Sequence, residues 1–597
     1  MGNEAIARGV LESGIYLVTG YPGTPSSEVI MTLQEYSSQL DVYVEWAVNE
    51  RVAFEVALGA AIGGARAMVT MKAPGLNVAS DPLLSAAYSG VDGGLVVLVA
   101  DDPGPHTTQT EQDSRWYAKL AKLPMISPSN PQEAKDYVKI AVLLSEELGL
   151  PIILRTTTRV NHAVGDVVLG ELEKPRKFRS FVKNPERFVR AGMKWNLERH
   201  KWLNKQLERV EEVAEKYGLN RVMGDGGLCV VTEGAAFNYV AEVLDEHGLR
   251  AKVVKLGLLF PLPKKFLTNV LKECREVVVI EELDPYLEEG IKAVLYDAGL
   301  SMPVRGKSTG HVPLEGELSK SIVALALGAA PKKRIIEPPE VPPRPPPLCP
   351  GCPHRFTFIA LRSAISRKGY KLSEVPVIGD IGCYALAVYP PIGMLWTEHS
   401  MGASISMAMG LKVSGHEKPV VAVIGDSTFY HSGIQSLIEA VNKRVDLLVL
   451  ILDNGVVAMT GHQSTPAWET SETGRRLKPV YIEKLVEAIG PDRVAVVDSY
   501  NLDELTKVVE DFLDMPGVKV IISRHPCALL EARLRGVKNR YAVELELCMG
   551  CRACIAATGC PAIYMESGKA HIIVEDCNGC GLCARFCPYG AIKPTGG

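Results

Sequence analysis

Cysteine and hard-oxygen side chains carry the clearest chemistry in this sequence. Cys548-x2-Cys551-x2-Cys554-x5-Cys560-Pro561 is followed by Cys577-x2-Cys580-x2-Cys583-x3-Cys587-Pro588. Each close triad can set three thiolates around one iron–sulfur cube, and the proline turns the chain after the fourth cysteine. Zinc accounts for a lone CxxC, but not for two such triads each trailed by Cys-Pro. A separate CxxC stands in Cys349-Pro350-Gly351-Cys352-Pro353-His354. Taken alone it is a redox pair, half a zinc site or part of an iron–sulfur site. Cys383 and Cys527 bring that region to four thiols, enough for one [4Fe-4S] cluster. Between them, Gly425-Asp426-Ser427 and Asp453-Asn454-Gly455 each close an apolar run, Val420–Ile424 and Asp446–Leu452. Asp426 and Asn454 are hard oxygen ligands suited to Mg²⁺, which is commonly shared between one or two carboxylates and substrate phosphates. Gly425 lets backbone N–H groups approach a diphosphate.

The elements that must hold these residues follow from hydrophobic period. Ile15–Val18, Ala67–Met71, Leu95–Ala100 and Ile152–Leu154 alternate with helical patterns, which predicts βαβ units and a mostly parallel sheet over 1–175. Residues 176–220 read as a charged helical connector. Lys, Arg, Trp195 and Trp202 are mixed there with Glu186, Glu198, Glu208, Glu211 and Glu212, so a solvated face is expected rather than a nucleic-acid surface. Residues 221–336 form a second α/β unit with strand-like runs at 228–231, 253–256 and 277–280, where Cys229 and Cys274 read as ordinary buried thiols. A proline-rich linker spans 337–347, a third α/β domain 348–535, and the cysteine array 540–597. In the third domain the apolar runs end where Asp426 and Asn454 begin, and ligands gather at the carboxyl ends of parallel strands. The fold class is therefore multidomain α/β with a small C-terminal α+β domain.

The totals exclude several classes. A net charge of −4 gives no electrostatic case for nucleic acid. No secretory signal and no membrane span is read, so a cytoplasmic protein is expected, in which cysteines serve metals or redox chemistry rather than disulfides.

Three resemblances sharpen this reading. The terminal array resembles bacterial two-cluster ferredoxins, in which the fourth cysteine of each run ligates the other cluster. That implies one [4Fe-4S] cluster on Cys548, Cys551, Cys554 and Cys587, and a second on Cys577, Cys580, Cys583 and Cys560. The Gly425–Ser427 and Asn454 pair resembles the GDG…N motif of thiamine diphosphate enzymes. It implies that Asp426, Asn454 and the Val456 carbonyl hold Mg²⁺, with Gly425 and Ser427 beside the cofactor, although Ser427 replaces a glycine and Asp453 an asparagine.

Gly20-Tyr21-Pro22-Gly23-Thr24-Pro25-Ser26-Ser27, the CPGC string and Met459-Thr460-Gly461-His462-Gln463 together resemble the 2-oxoacid:ferredoxin oxidoreductases, in order along the whole chain. This family likeness implies a pyrimidine-binding domain (1–175), a transketolase C-terminal-like domain (221–336) and a diphosphate-binding domain (348–535). It makes Thr24 a substrate contact, Arg115 the holder of the substrate carboxylate, and His462 an acid–base or substrate-shaping group. Glu50 becomes the carboxylate facing the aminopyrimidine ring, with Glu55 the runner-up. Gly402, opening a small-residue helix, is expected to present free N–H groups to the diphosphate. Cys349, Cys352, Cys383 and Cys527 become ligands of a third [4Fe-4S] cluster.

The implied reaction is oxidative decarboxylation of a 2-oxoacid, with the aryl pyruvates, such as indolepyruvate, the expected substrates. The acyl group passes to coenzyme A and the electrons to an external ferredoxin. No gamma-type domain is read in the chain, so a smaller beta subunit in an α₂β₂ assembly is expected. Two other classes compete: a non-redox thiamine diphosphate decarboxylase or carboligase, and an electron-transfer subunit without catalysis. Ferredoxin-independent product formation would mark the first, and failure to bind thiamine diphosphate the second.

Overall fold

The computed structural model describes residues 1–330, 339–342, 345–537 and 539–595. Residues 337, 338, 343 and 344 of the expected linker lie outside the described residues, as do 331–336 and 596–597 of the flanking segments. The chain divides into two compact units, Met1–Pro338 and Pro339–Gly597.

In the first unit, strands β1 (Leu17–Gly20), β2 (Tyr43–Trp46), β3 (Ala67–Lys72), β4 (Leu95–Asp101), β5 (Met125–Ile126) and β6 (Ile152–Thr157) are all parallel. They are followed by β7 (Arg221–Met223), β8 (Leu228–Glu233), β9 (Lys252–Leu256), β10 (Leu258–Phe260), β11 (Glu276–Ile280) and β12 (Val304–Arg305). The first sheet runs β10-β5-β6-β4-β3-β1-β2, with β10 joining antiparallel at its edge. The second runs β12-β11-β8-β9-β7. β4 is buried along its whole length, as expected of a parallel strand covered by helices on both faces. Every strand-like run named above for this unit lies in or overlaps one of these strands. The connector differs from expectation. After a single helical turn at Pro185–Phe188, its long helix runs from Met193 to Glu215, and Leu203, Val210, Val213 and Ala214 bury one face of it in the first unit's core.

Cys229 and Cys274 are joined as a disulfide, a correction to the reading of two free thiols. Cys229 lies in β8 and Cys274 just before the neighbouring strand β11, so parallel pairing brings their Cα atoms to 5.9 Å, within bridging reach.

The second unit holds β13 (Val377–Ile378), β14 (Val421–Gly425), β15 (Leu447–Asp453), β16 (Val456–Val457), β17 (Gln463–Ser464), β18 (Arg493–Asp498) and β19 (Val518–Arg524). Its main sheet, β13-β14-β15-β19-β18, is entirely parallel. The cysteine-rich tail adds two antiparallel pairs, β20 (Tyr541–Val543) with β23 (Ile592–Pro594), and β21 (Ile563–Glu566) with β22 (Lys569–Ile572). Among the described residues no helix is long and apolar enough to cross a membrane.

Candidate active site

β14 and β15 are adjacent, with Gly425 opposite Leu452, so both strands release their chains at one edge. Asp426 and Asn454 stand there, both buried. Asp426 Oδ1 accepts hydrogen bonds from the Ser427 N–H (2.6 Å) and hydroxyl (3.0 Å), and Oδ2 accepts from the Gly455 N–H at 2.8 Å. Asn454 Oδ1 accepts from the Val456 N–H at 3.0 Å. Its Nδ2 donates to His354 Nε2 at 3.2 Å. Burial lowers the His354 pKa to about 4. The ring is therefore neutral at pH 7, with its proton on Nδ1, and it fixes which way the Asn454 amide points. From the sequence His354 could orient its loop or approach the diphosphate and has no catalytic role; its partner Asn454 lies a hundred residues away.

Burial, and then the neighbouring Asp453, push the Asp426 carboxyl up to about 7. Among the described residues no basic side chain bonds it, whereas Asp453 is held by Arg524 at 2.6 Å. A buried carboxylate without a counter-charge is costly. A divalent cation would supply that charge, and each oxygen of Asp426 keeps acceptor capacity. The donor set therefore fits Mg²⁺ carrying a diphosphate.

Two glycines have reasons the sequence did not show. A Cβ on Gly425 would lie 2.7 Å from the Tyr384 ring, so this glycine makes room for an aromatic side chain. Gly402 sits at φ +86° at the start of the helix Ala403–Val413. Its N–H donates to Asp380 Oδ1 and that of Ser404 to Oδ2, both at 2.9 Å. The free donors expected at Gly402 are therefore already taken. Asp380, buried and missed by the sequence reading, fills the positive helix end that a diphosphate was expected to use. A cavity of about 430 Å³ opens beside this turn, lined by Asn454, Val456, Trp468, Tyr481, Cys527 and Leu530.

The CPGC cysteines lie against the same turn. Cys352 precedes the helix Pro353–Arg367, and its N–H donates to the Cys349 carbonyl at 3.1 Å. Burial, then Cys349, Cys527 and Asp426, push the Cys383 thiol up to about 12. Burial, then Cys383 and Cys349, do the same for Cys352. Each of the four thiols thus lies within electrostatic reach of at least two of the others. The Cys527 N–H also donates to the Asn454 carbonyl at 3.1 Å. The Asp426/Asn454 turn and the cysteine group are thus linked by a backbone hydrogen bond.

In the tail, Cys560, Cys577, Cys580 and Cys583 line a single cavity, so the last cysteine of the first run stands with the second triad. Burial, then Cys580, Cys560 and Cys577, push the Cys583 thiol up to about 12. Cys554 is raised by burial, with Cys587 and Cys551 also acting on it. Backbone N–H groups of Tyr541, Ala570 and Ala591 point at the sulfurs of Cys577, Cys548 and Cys587 at 3.4, 3.4 and 3.3 Å. Such donors stabilise thiolates bound to a cluster. Among the described residues no three His, Cys, Asp or Glu side chains converge closely enough for a single metal ion. Two thiol groups supplied with N–H donors, one of them lining a cavity, fit cubanes, whose ligands are spread over separate corners.

In the first unit, Glu50 opens the helix Glu50–Ile62, capped by the Asn49 side chain on the Val52 N–H. Glu50 is buried and lies against Gly75, where a Cβ would sit 2.7 Å from both its Cγ and its Oε1. Glu55 is exposed and paired with Arg51 at 3.0 Å. Thr24 is half-buried, and its carbonyl accepts from the Thr107 hydroxyl at 3.2 Å. In the second unit, His462 has φ +67° in the short β16–β17 hairpin, and burial lowers its pKa.

Arg115 is a correction. It is fully buried and bonds Asp113 (2.6 Å), Glu281 (2.6 Å) and the carbonyls of Glu282 and Asp284 (2.7 and 2.9 Å). With its fork spent on these partners, it has no free face for a substrate carboxylate.

Two parallel-sheet units, an oxygen-bearing turn and clustered thiols define a thiamine diphosphate-dependent oxidoreductase. Residues 380–523 match the family described as thiamine pyrophosphate enzyme, C-terminal TPP binding domain. Residues 8–217 match the thiamine diphosphate-binding domain of pyruvate flavodoxin/ferredoxin oxidoreductase, and 570–593 match the 4Fe-4S binding domain. The indolepyruvate oxidoreductase subunit IorA of Pyrococcus abyssi is 41% identical over 99% of this chain and 96% of its own length. The protein of the same name from Methanothermobacter marburgensis is 40% identical over 100% of this chain and 97% of its own. The 2-oxoglutarate synthase subunit KorA of Archaeoglobus fulgidus is 24% identical over 51% of this chain and 95% of its own. The chain belongs to the family of indolepyruvate oxidoreductase subunit IorA, among the 2-oxoacid:ferredoxin oxidoreductases.

Proposed function

We propose that this chain is the larger subunit of an enzyme that oxidatively decarboxylates aryl 2-oxoacids, indolepyruvate among them, to aryl-acyl-CoA while reducing ferredoxin. One observation carries the reading: Asn454 of the metal turn and Cys527 of the CPGC group are joined through backbone at 3.1 Å. This bond supports the reading because carbon chemistry and an electron acceptor would then stand side by side. The aryl preference rests on relatives named for indolepyruvate.

Asp426, Asn454 and the Val456 carbonyl would hold Mg²⁺, with Gly425 and Ser427 beside the diphosphate. His354 keeps the Asn454 oxygen turned toward that site. Glu50 would offer its carboxylate to the aminopyrimidine ring, and Thr24 and His462 would border the substrate. Thiamine diphosphate supplies the carbanion-stabilising chemistry of decarboxylation, and iron–sulfur clusters supply one-electron transfer. Cys349, Cys352, Cys383 and Cys527 would hold one cluster. Cys560, Cys577, Cys580 and Cys583 would hold a second, and Cys548, Cys551, Cys554 and Cys587 a third. A smaller partner subunit, in an α₂β₂ assembly, would complete the enzyme.

The test is anaerobic purification with the partner subunit, followed by assay of iron, sulfide and thiamine diphosphate. Ferredoxin reduction is then followed with indolepyruvate, pyruvate and 2-oxoglutarate, with and without coenzyme A. Three cubes predict about twelve iron per chain, and the reading predicts coenzyme A-dependent reduction strongest with indolepyruvate. About eight iron would remove the CPGC cluster, and no reduction with any 2-oxoacid would overturn the function.

A further inference from the structure

Arg355 is a buried cation of the second unit that nothing above uses. Its residue is 2% exposed. Its side-chain hydrogen bonds go to backbone carbonyls, those of Thr558, Leu348 and Cys349, the last at 3.2 Å. Its Nε is buried with no hydrogen-bond partner, and among the described residues no carboxylate pairs with it. A buried charge without a counter-charge is costly, because burial strips its hydration with nothing to replace it. Some negative group must offset it.

The neighbours of Arg355 show where that group is. On one side it bonds the carbonyl beside Cys349, and its own N–H donates to the Cys352 carbonyl at 3.2 Å. On the other it lines the cavity of Cys560, Cys577, Cys580 and Cys583. One further bond joins the same loops, and a second braces the CPGC loop from outside the tail. Asn578 Nδ2 donates to the Pro350 carbonyl at 2.8 Å, and the Tyr500 hydroxyl to the Gly351 carbonyl at 2.5 Å. Gly351, at φ +73°, has no space for a side chain, since a Cβ would lie 2.9 Å from that of Asn578. In the other tail group Cys551 is exposed, as is the neighbouring Met549, while Cys554 is buried.

We propose that Arg355 is a shared counter-ion: one buried guanidinium that sets the reduction potentials of the CPGC cluster and of the Cys560/Cys577/Cys580/Cys583 cluster together. This rests on the cluster assignments above. A cubane with four thiolates becomes more negative on reduction, so a nearby fixed cation favours the reduced form and raises the potential. One charge between two such sites moves both in the same direction. It acts as a positioning residue, because it touches the loops that carry the ligands rather than substrate.

The experiment is a dithionite titration followed by electron paramagnetic resonance, on the chain purified anaerobically with its partner subunit, with iron counted in every sample. Arg355→Gln keeps a donor for the carbonyls but removes the charge. It is expected to move two cluster potentials to more negative values together while the third stays. Arg355→Lys restores the charge and returns both toward the wild-type values. If the Gln variant instead loses iron at those two sites only, and Lys restores it, the same conclusion stands. A change confined to one site, spread evenly over all three, or absent overturns the proposal. A wild-type protein already short of iron would instead overturn the cluster assignments.

Discussion

Two regions bury charge against different partners: burial still pushes Glu281 to about 7 and Asp101 to about 6, but in the first unit arginines stand beside the acids. In the first unit, Arg115 and Arg155 are fully enclosed, and acids meet them on several sides. Asp113 and Glu281 bond Arg115, while Asp101 (2.8 Å) and Glu233 (2.6 Å) bond Arg155. Burial alone would raise Asp113, but Arg115 more than offsets it and holds the carboxyl below its usual range. In the second unit, Asp426 is just as enclosed, yet backbone and one hydroxyl are its partners, and its carboxyl rises to about 7. A buried charge closed by its neighbours is part of the frame. One left open marks a place where something else must arrive. The contrast explains why Arg115, which has the right type for carboxylate recognition, is not a recognition residue.

The comparison breaks most sharply at Asp426. Asp426→Ala should abolish retention of thiamine diphosphate and Mg²⁺ through gel filtration. The loss should exceed the roughly 10–100-fold cost of removing a merely supporting residue. Iron bound to the tail should remain, and full activity in this variant would refute the metal site. Arg115→Ala should act the other way, costing about 3–5 kcal/mol in the first unit's unfolding transition, because it strands Asp113 and Glu281. Denaturant titration reads this, and a variant of normal stability with only a raised KM would restore Arg115 as a substrate residue.

A smaller effect is expected at Gly75. Gly75→Ala pushes a methyl group into Glu50, and a displacement of about 1 Å can cost on the order of 100-fold in kcat/KM. Cofactor and iron content should stay near normal, and unaltered kinetics would remove Glu50 from the chemistry.

The least change belongs to Glu282, which the Leu318 N–H serves at 3.2–3.3 Å. Burial pushes its carboxyl up to about 7, with the Leu318 N–H and Lys307 pulling back. Folding therefore favours the protonated acid. Its contribution is full below the ordinary value of 4.5 and is lost as pH rises to about 7. Glu282→Gln has no proton to lose. Its stability relative to wild type should improve by about 1–3 kcal/mol across that window and stay level above it. A difference independent of pH would show that Glu282 stays ionised in the folded chain.

Much of this was legible locally. Two apolar runs ending in Gly-Asp and Asp-Asn predicted neighbouring strand ends, because strand length and polarity are written in consecutive residues. The cysteine spacing likewise predicted thiol groups, and Cys560 does stand with the second triad. Illegible features depend on partners far along the chain. Glu281 lies 166 residues from Arg115, and His354 lies 100 from Asn454. Asp380, in Gly379-Asp380-Ile381-Gly382, looks like a turn residue until the helix it caps is packed above it. Cys229 and Cys274 pair only because β8 and β11 do. No periodicity encodes which strands become neighbours.

The crossing of Cys560 into the later triad's cavity has a consequence for how the tail is made. During synthesis the later group becomes complete when Cys583 emerges. If the crossing is reciprocal, the earlier group waits for Cys587, four residues on. The two pockets then finish almost together, in the reverse of the order in which they were begun, and a half-made tail offers passing metal no finished cage.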